Sequence, residues 1–207
     1  MATRIALDGV GGQGVRVIAA VLGALLARMG KEVTVLFDYD SSVRGSMSDA
    51  FVIFDDKPIA NPVVEEADIL LKLADKGHLR ISGRTVVTDL GLGKPGDEEI
   101  PFASLGSAYF GKELFGNMIA LGRLLRLAAI DFDEMSIRES LPRRYQDENV
   151  AAIHFGYELT HEEVARLASV APPSRFEMND AATAPRHRKT GIGPGGGMGL
   201  SDVAESG

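Results

Sequence analysis

Two kinds of apolar run alternate along the chain. The short kind is dense in β-branched and aromatic residues: Arg4–Asp8, Val33–Phe37, Ala50–Phe54, Ala67–Leu73 and Thr85–Asp89. Each is bounded by Gly, Asp, Pro or Asn and has the length of a buried strand. The long kind repeats its apolar positions at helical spacing: Val15–Met29, Asn117–Ala128, Glu134–Leu141 and Glu148–Val170. Gly30 and Pro142 are stop signals, and Asn117 is an N-cap residue, its side-chain oxygen able to accept orphan N–H bonds. A weaker short helix is expected through residues 76–81, and residues 102–116 carry no clear pattern. The turn Asp55-Asp56-Lys57, followed by Pro58–Pro62, predicts a hairpin return at the sheet edge. Strands alternating with helices predict an α/β fold: a Rossmann-like, mostly parallel sheet with a hairpin edge and helices on both faces. The pattern stops at Pro172-Pro173. From Ala181 onward the chain is basic (Arg186-His187-Arg188-Lys189) and then glycine-rich (Gly191–Gly199), without the apolar mass that ordering requires. The expected division is an α/β domain over residues 1–172 and a C-terminal extension over 173–207, a flexible arm that a partner orders.

The first strand runs into Gly9-Val10-Gly11-Gly12-Gln13-Gly14 before the first long helix. Glycines admit φ > 0 and close approach, and a helix N-terminus beyond such a turn presents free N–H groups at the positive end of its dipole. That corner suits a phosphate or carboxylate. The spacing Gly9-x-Gly11-x-x-Gly14 fits the dinucleotide fingerprint, and Asp38 ends the second strand about where a ribose-binding acid stands in that fold. The competing reading is that the glycines only let strand and helix pack. Residues 38–48 follow as a polar loop from a strand's carboxyl end, where ligands bind in open α/β sheets. In it, Arg44 before Gly45 can make a bidentate contact with an anion or be an ordinary surface arginine.

Composition narrows the chemistry. The formal net charge of −7 gives no general nucleic-acid signature. There is no Cys, which rules out thiol catalysis and a cluster ligated by this chain. His78, His154, His161 and His187 lack metal-ligand spacing. No run of about 18 apolar residues is present, and no leader pattern opens the chain, so the expected setting is the cytoplasm.

These motifs together resemble the gamma subunit, or gamma domain, of 2-oxoacid:ferredoxin oxidoreductases. The turn Gly11-Gly12-Gln13-Gly14 is similar to the family's glycine-glycine-glutamine-glycine signature. Ser42–Ser48 with Arg44-Gly45 resembles its arginine-glycine loop, and Ala50–Pro58 its strand, acidic turn and Pro-Ile segment. Ala67-Asp68-Ile69-Leu70, Gly116–Gly122 and Asn149–Glu158 resemble the next strand and two late helices. The likeness covers residues 4–168. Ser46, where relatives carry a second glycine, and the tail beyond residue 172 depart from it. The resemblance implies oxidative decarboxylation of a 2-oxo acid to an acyl-coenzyme A. Thiamine diphosphate and iron–sulfur clusters would sit on alpha, beta and ferredoxin-like partner subunits, and this chain would contribute to coenzyme A binding and assembly. The implied contacts are the backbone N–H groups of Gly11, Gly12, Gln13 and Gly14 on a coenzyme A phosphate, with Gly9 shaping the turn. Gln13 would orient the turn or donate a hydrogen bond, Arg44 beside Gly45 would make charge-assisted contacts to a phosphate or to the neighbouring subunit, and Asn117 would cap its helix beside the site. No residue is assigned to bond-making. A free-standing NAD- or FAD-binding Rossmann oxidoreductase and a non-catalytic scaffold module are the alternatives.

Overall fold

The structure is a computed structural model that describes residues 2–39, 47–74, 81–92, 94 and 96–170. Arg44, Gly45, residues 76–80 and the 173–207 extension lie outside the described residues. Among the described residues, six strands form one sheet: β1 (Thr3–Val10), β2 (Glu32–Tyr39), β3 (Met47–Asp55), β4 (Glu66–Lys72), β5 (Ser82–Asp89) and β6 (Glu98–Ile100). Their spatial order is β2-β3-β1-β4-β5-β6. Strands β1, β4, β5 and β6 run parallel, and β3 lies antiparallel between β1 and β2.

The hairpin at the sheet edge is therefore β2–β3. It is not the predicted pairing of residues 50–54 with Pro58–Pro62, because residues 56–65 form no strand. The run around Val33–Phe37, expected to be buried, is the outer strand. Leu36 and Phe37 are 40% and 44% exposed because only one edge and part of each face are covered.

Helix α1 (Val15–Arg28) buries Ile18, Leu22, Leu25 and Leu26 against the sheet, the spacing its sequence predicted. Gly23 permits the closest approach, since a methyl there would lie 2.6 Å from Val35. The unassigned stretch 102–116 holds α2 (Phe102–Phe110) and a 3-10 turn (Glu113–Phe115), leading into α3 (Gly116–Leu127). Helix α4 (Glu134–Ser140) is N-capped by Asp133, whose side chain accepts from the Ser136 N–H at 2.9 Å.

The predicted helix over 148–170 is two helices, α5 (Gln146–Glu158) and α6 (His161–Val170). The break is a capping box. Glu163 accepts from the Thr160 N–H at 2.9 Å, and the Glu163 N–H donates to the Thr160 hydroxyl at 3.2 Å. The Thr160 backbone and hydroxyl donors hold the Glu163 carboxyl below its usual 4.5. The box is therefore intact at neutral pH and is lost as the pH falls below that value through the folded pKa. Replacing Thr160 with Ala is expected to cost about 1 kcal/mol, read as a lower denaturant midpoint at unchanged slope.

Helix α3 packs on α5 through paired glycines. A methyl on Gly122 would collide with the Ile153 carbonyl, and one on Gly156 with the Ile119 carbonyl. Beside this seam Arg123 is buried with Glu98 of β6. Its Nε donates to Glu98 Oε2 at 2.7 Å, its Nη2 pairs with Oε1, and its Nη1 donates to the Leu159 carbonyl at 2.5 Å. Among the described residues, no helix is long and apolar enough to cross a membrane.

Candidate functional site

The parallel register brings the carboxyl ends of β1, β4 and β5 to one end of the sheet, where Asp8 aligns with Lys72 and Lys72 with Thr88. From β1 the chain passes through α1 to β2 on one side, while β4 and β5 extend the sheet on the other. That reversal is a topological switch point, the place where open α/β sheets bind ligands. The glycine turn stands over it. Met47, the first residue of β3, pairs with Val10 at the end of β1.

The glycines do different jobs. Gly9 lies inside β1, and a methyl on it would meet Val15 at 2.6 Å, so it serves strand–helix packing. Gly14 takes φ 78° as the residue before α1, and a methyl on it would collide with the Asn117 side-chain amide. Gly12 takes φ 98°, yet nothing lies within 4 Å of where its methyl would be. Gly11 and Gly12 are exposed. The cradle open to a ligand is thus centred on Gly12, with the first N–H groups of α1 behind it and, among the described residues, no side-chain cap on that helix.

Gln13 is a clamp. It is 5% exposed, its Oε1 accepts from the Val10 N–H at 2.8 Å, and its Nε2 donates to the Leu73 carbonyl at 2.6 Å. Leu73 in turn donates its N–H to the Asp8 carbonyl at 2.7 Å. Of its two expected roles, Gln13 orients the turn, binding it to the end of β4. Its backbone N–H is committed to the Val10 carbonyl at 3.1 Å.

Asn117 does not cap α3. The N-cap is Phe115, without a side-chain cap bond, and Asn117 sits in the first turn with its amide against Gly14. The reason is the preceding 3-10 turn, which runs directly into the helix and moves its cap two residues earlier.

Gly12, Gln13 and Asn117 line a cleft of about 200 Å³ with Leu73, Phe102 and Leu114. Asp89 and Glu113 also line it. Asp89 Oδ1 accepts from the Phe102 N–H at 3.1 Å and so caps α2. Because two carboxylates line the cleft, positive charge for an anionic ligand has to come from the helix terminus or from outside this lining. The cleft is also smaller than the roughly 300–1,000 Å³ of a complete small-molecule site. At that size it can enclose only part of a small-molecule ligand. Leu73, Phe102, Asp89 and Glu113 were missed because strand ends and an unpatterned stretch give no periodic signal.

Asp38 is exposed on β2, and β3 stands between that strand and β1. A dinucleotide fold places the acid on the strand next to the glycine turn. Here it is two strands away, roughly 10 Å in the sheet direction. Among the described residues, no group of three His, Asp or Glu side chains could hold a metal ion.

Comparison with known proteins agrees with this fold. The family model for pyruvate ferredoxin/flavodoxin oxidoreductase matches residues 4–159. The 2-oxoglutarate synthase subunit KorC of Archaeoglobus fulgidus is 32% identical over 167 residues, covering 75% of this chain and 86% of that one. Its counterpart in Methanocaldococcus jannaschii is 29% identical over 179 residues, covering 78% and 96%. The gamma subunit of a keto/oxoacid ferredoxin oxidoreductase from Geobacter sulfurreducens PCA superposes with a TM-score of 0.63 at 22% identity, over 76% of this chain and 95% of that one. A 2-oxoglutarate:ferredoxin oxidoreductase from Magnetococcus marinus, solved with 2-oxoglutarate, coenzyme A and succinyl-CoA bound, superposes at 0.58 and 18% identity, over 84% of this chain and 32% of that one.

Proposed function

We propose a role for the cleft from one premise: the chain belongs to the pyruvate ferredoxin/flavodoxin oxidoreductase family and is a gamma subunit of a 2-oxoacid:ferredoxin oxidoreductase. In this reading the cleft holds phosphate oxygens of coenzyme A while the reaction runs on other subunits. The observation that carries it is Gly12: a left-handed residue at the switch point with open space over it, beside an uncapped helix N-terminus. The N–H groups of Gly11, Gly12 and Gly14 and of the first turn of α1 receive the phosphate, Gln13 holds the turn's shape, and the Asn117 amide forms the wall opposite. The apolar floor of Leu73, Phe102 and Leu114 carries the ligand's uncharged arm.

The 2-oxo acid we assign is 2-oxoglutarate, with succinyl-coenzyme A as product, on the strength of the KorC relatives. Thiamine diphosphate on alpha and beta partners supplies the decarboxylation, and their iron–sulfur clusters and a ferredoxin-like subunit carry the electrons. A chain without Cys fits that division of labour. The position of Asp38 disfavours the free-standing NAD or FAD enzyme.

Arg44, next to Gly45 in the chain, supplies the charge that the cleft lining lacks. Removing a charge-assisted contact costs about 1.5–3 kcal/mol. Arg44→Ala in the assembled complex is therefore expected to raise KM for coenzyme A roughly tenfold or more. An unchanged KM with intact assembly would sink this assignment. The residue 173–207 extension is assigned to subunit docking.

A further inference from the structure

Next to the 3-10 turn that lends the cleft Glu113 and Leu114, one phenol is held by two cations. Lys112 Nζ donates to the Tyr145 hydroxyl oxygen at 2.6 Å and stands 3.9 Å over the ring. Arg144 Nη2 donates to the same oxygen at 3.0 Å, with its guanidinium carbon 4.8 Å from the ring centroid. The Tyr145 ring packs edge-on against buried Phe115, the residue before α3.

This arrangement is built. Tyr145 has φ 57°, a left-handed conformation that a bulky side chain rarely adopts. The buried Asn149 fastens it: its N–H donates to the Tyr145 carbonyl at 2.9 Å, and its side-chain amide donates to the Arg144 carbonyl at 3.3 Å. Strain held in place by neighbours is a pointer to function. The electrostatics point the same way. Two cations meeting at one atom repel each other. Among the described residues, no carboxylate forms an ion pair with Lys112, Arg143 or Arg144, whereas Arg138 nearby is paired with both Glu134 and Asp147. With both acceptor positions of the phenol oxygen filled, its own proton is left to donate. Hydrogen bonds from Lys112, then from Arg144, lower the Tyr145 pKa, so the place favours negative charge.

We infer that Lys112, Arg144 and the Tyr145 hydroxyl form a binding site for a phosphomonoester dianion. Two cations, one of them a planar guanidinium, meet at a phenol whose own proton can donate, and that set of donors suits a tetrahedral dianion. The dianion is either the 3′-phosphate of coenzyme A reaching from the neighbouring cleft, an arm that rests on the function proposed above, or a free phosphate.

The test is calorimetric binding to the assembled complex without 2-oxo acid, using coenzyme A, 3′-dephospho-coenzyme A and inorganic phosphate. If the 3′-phosphate is the ligand, coenzyme A binds about tenfold or more tighter than the dephospho form. Lys112→Met then erases that difference without changing the dephospho affinity, Arg144→Gln acts alike, and Lys112→Arg retains it. If free phosphate is the ligand, the two coenzymes bind equally, and inorganic phosphate binds with an affinity that Lys112→Met lowers. Unchanged discrimination and unchanged phosphate binding in both variants would overturn the site, leaving the cations to a partner's carboxylates. Asn117→Asp separates the two proposals: it should weaken both coenzymes equally. If it weakens neither, the glycine-cleft reading fails, while the phosphate arm still decides the fate of Lys112.

Discussion

Alanine at position 123 is expected to cost about 3–5 kcal/mol of folding stability, the usual range for removing one partner of a buried ion pair. Arg123 and Glu98 are 2% and 5% exposed, and the guanidinium meets the carboxylate with two parallel hydrogen bonds. Among the described residues, truncation leaves the Glu98 carboxylate in β6 with the His161 ring nitrogen, at 3.0 Å, as its remaining side-chain neighbour of this kind. It also strips the Leu159 carbonyl of its donor at the α5–α6 junction. The loss is a large part of the 5–15 kcal/mol that holds a typical domain together. A companion variant sharpens the argument. Exchanging both residues for apolar ones of similar size, Arg123→Met with Glu98→Leu, is expected to recover most of the loss, because the cost is an uncompensated charge. Guanidinium denaturation of both variants checks this. A loss below about 1 kcal/mol for Arg123→Ala would show that the pair is solvated.

That pair was not legible in the sequence, and the reason is physical. Arg123 sits in an apolar helical run, and Glu98-Glu99 reads as a polar loop. The three-residue β6 is too short to show alternation, and its place in the sheet depends on pairing that has no local signal. The same holds for strand order. The β2 run is as apolar as a central strand, yet it lies at the edge because β3 inserts between it and β1. That insertion also moved Asp38 away from the glycine turn. Where a local rule governs the outcome, reading from residues succeeded. The extents of β1, α1, β4, β5 and α4 follow from periodicity, Gly30 and Pro142, and the mixed sheet and the family resemblance are borne out. The split between α5 and α6 could have been read, since Thr160-His161-Glu162-Glu163 spells a capping box. Helix α2 was hidden by Gly106, which breaks the helical pattern. It is there because a methyl would lie 2.5 Å from the Gly116 nitrogen.

At the glycine turn, the motif was visible but its division of labour was not. Gly9 and Gly14 answer to packing partners far along the chain or one turn on, and Gln13 bonds across to β4. Only Gly12 is left-handed and open. Asn before an apolar run is commonly a cap, and Asn117 has that place in the sequence. The 3-10 turn ahead of it moved the helix start, and so turned its amide onto Gly14.

Asn117 therefore tests the central claim. Aspartate has nearly the same shape as asparagine and in the first turn of α3 suits the helix dipole, so Asn117→Asp should leave the fold's thermal midpoint unchanged or raised. It places a negative charge against the corner assigned to a phosphate. At an effective dielectric near 20, two unit charges about 4 Å apart repel by roughly 4 kcal/mol. Allowing for screening and relaxation, the expected loss is about 3 kcal/mol, near a hundredfold in affinity. The direct measurement is the Kd of coenzyme A for the assembled complex with and without this substitution. A Kd weakened about a hundredfold at an unchanged thermal midpoint is the predicted result. An unchanged Kd would mean that no phosphate of coenzyme A lies at the glycine turn, and would contradict the account.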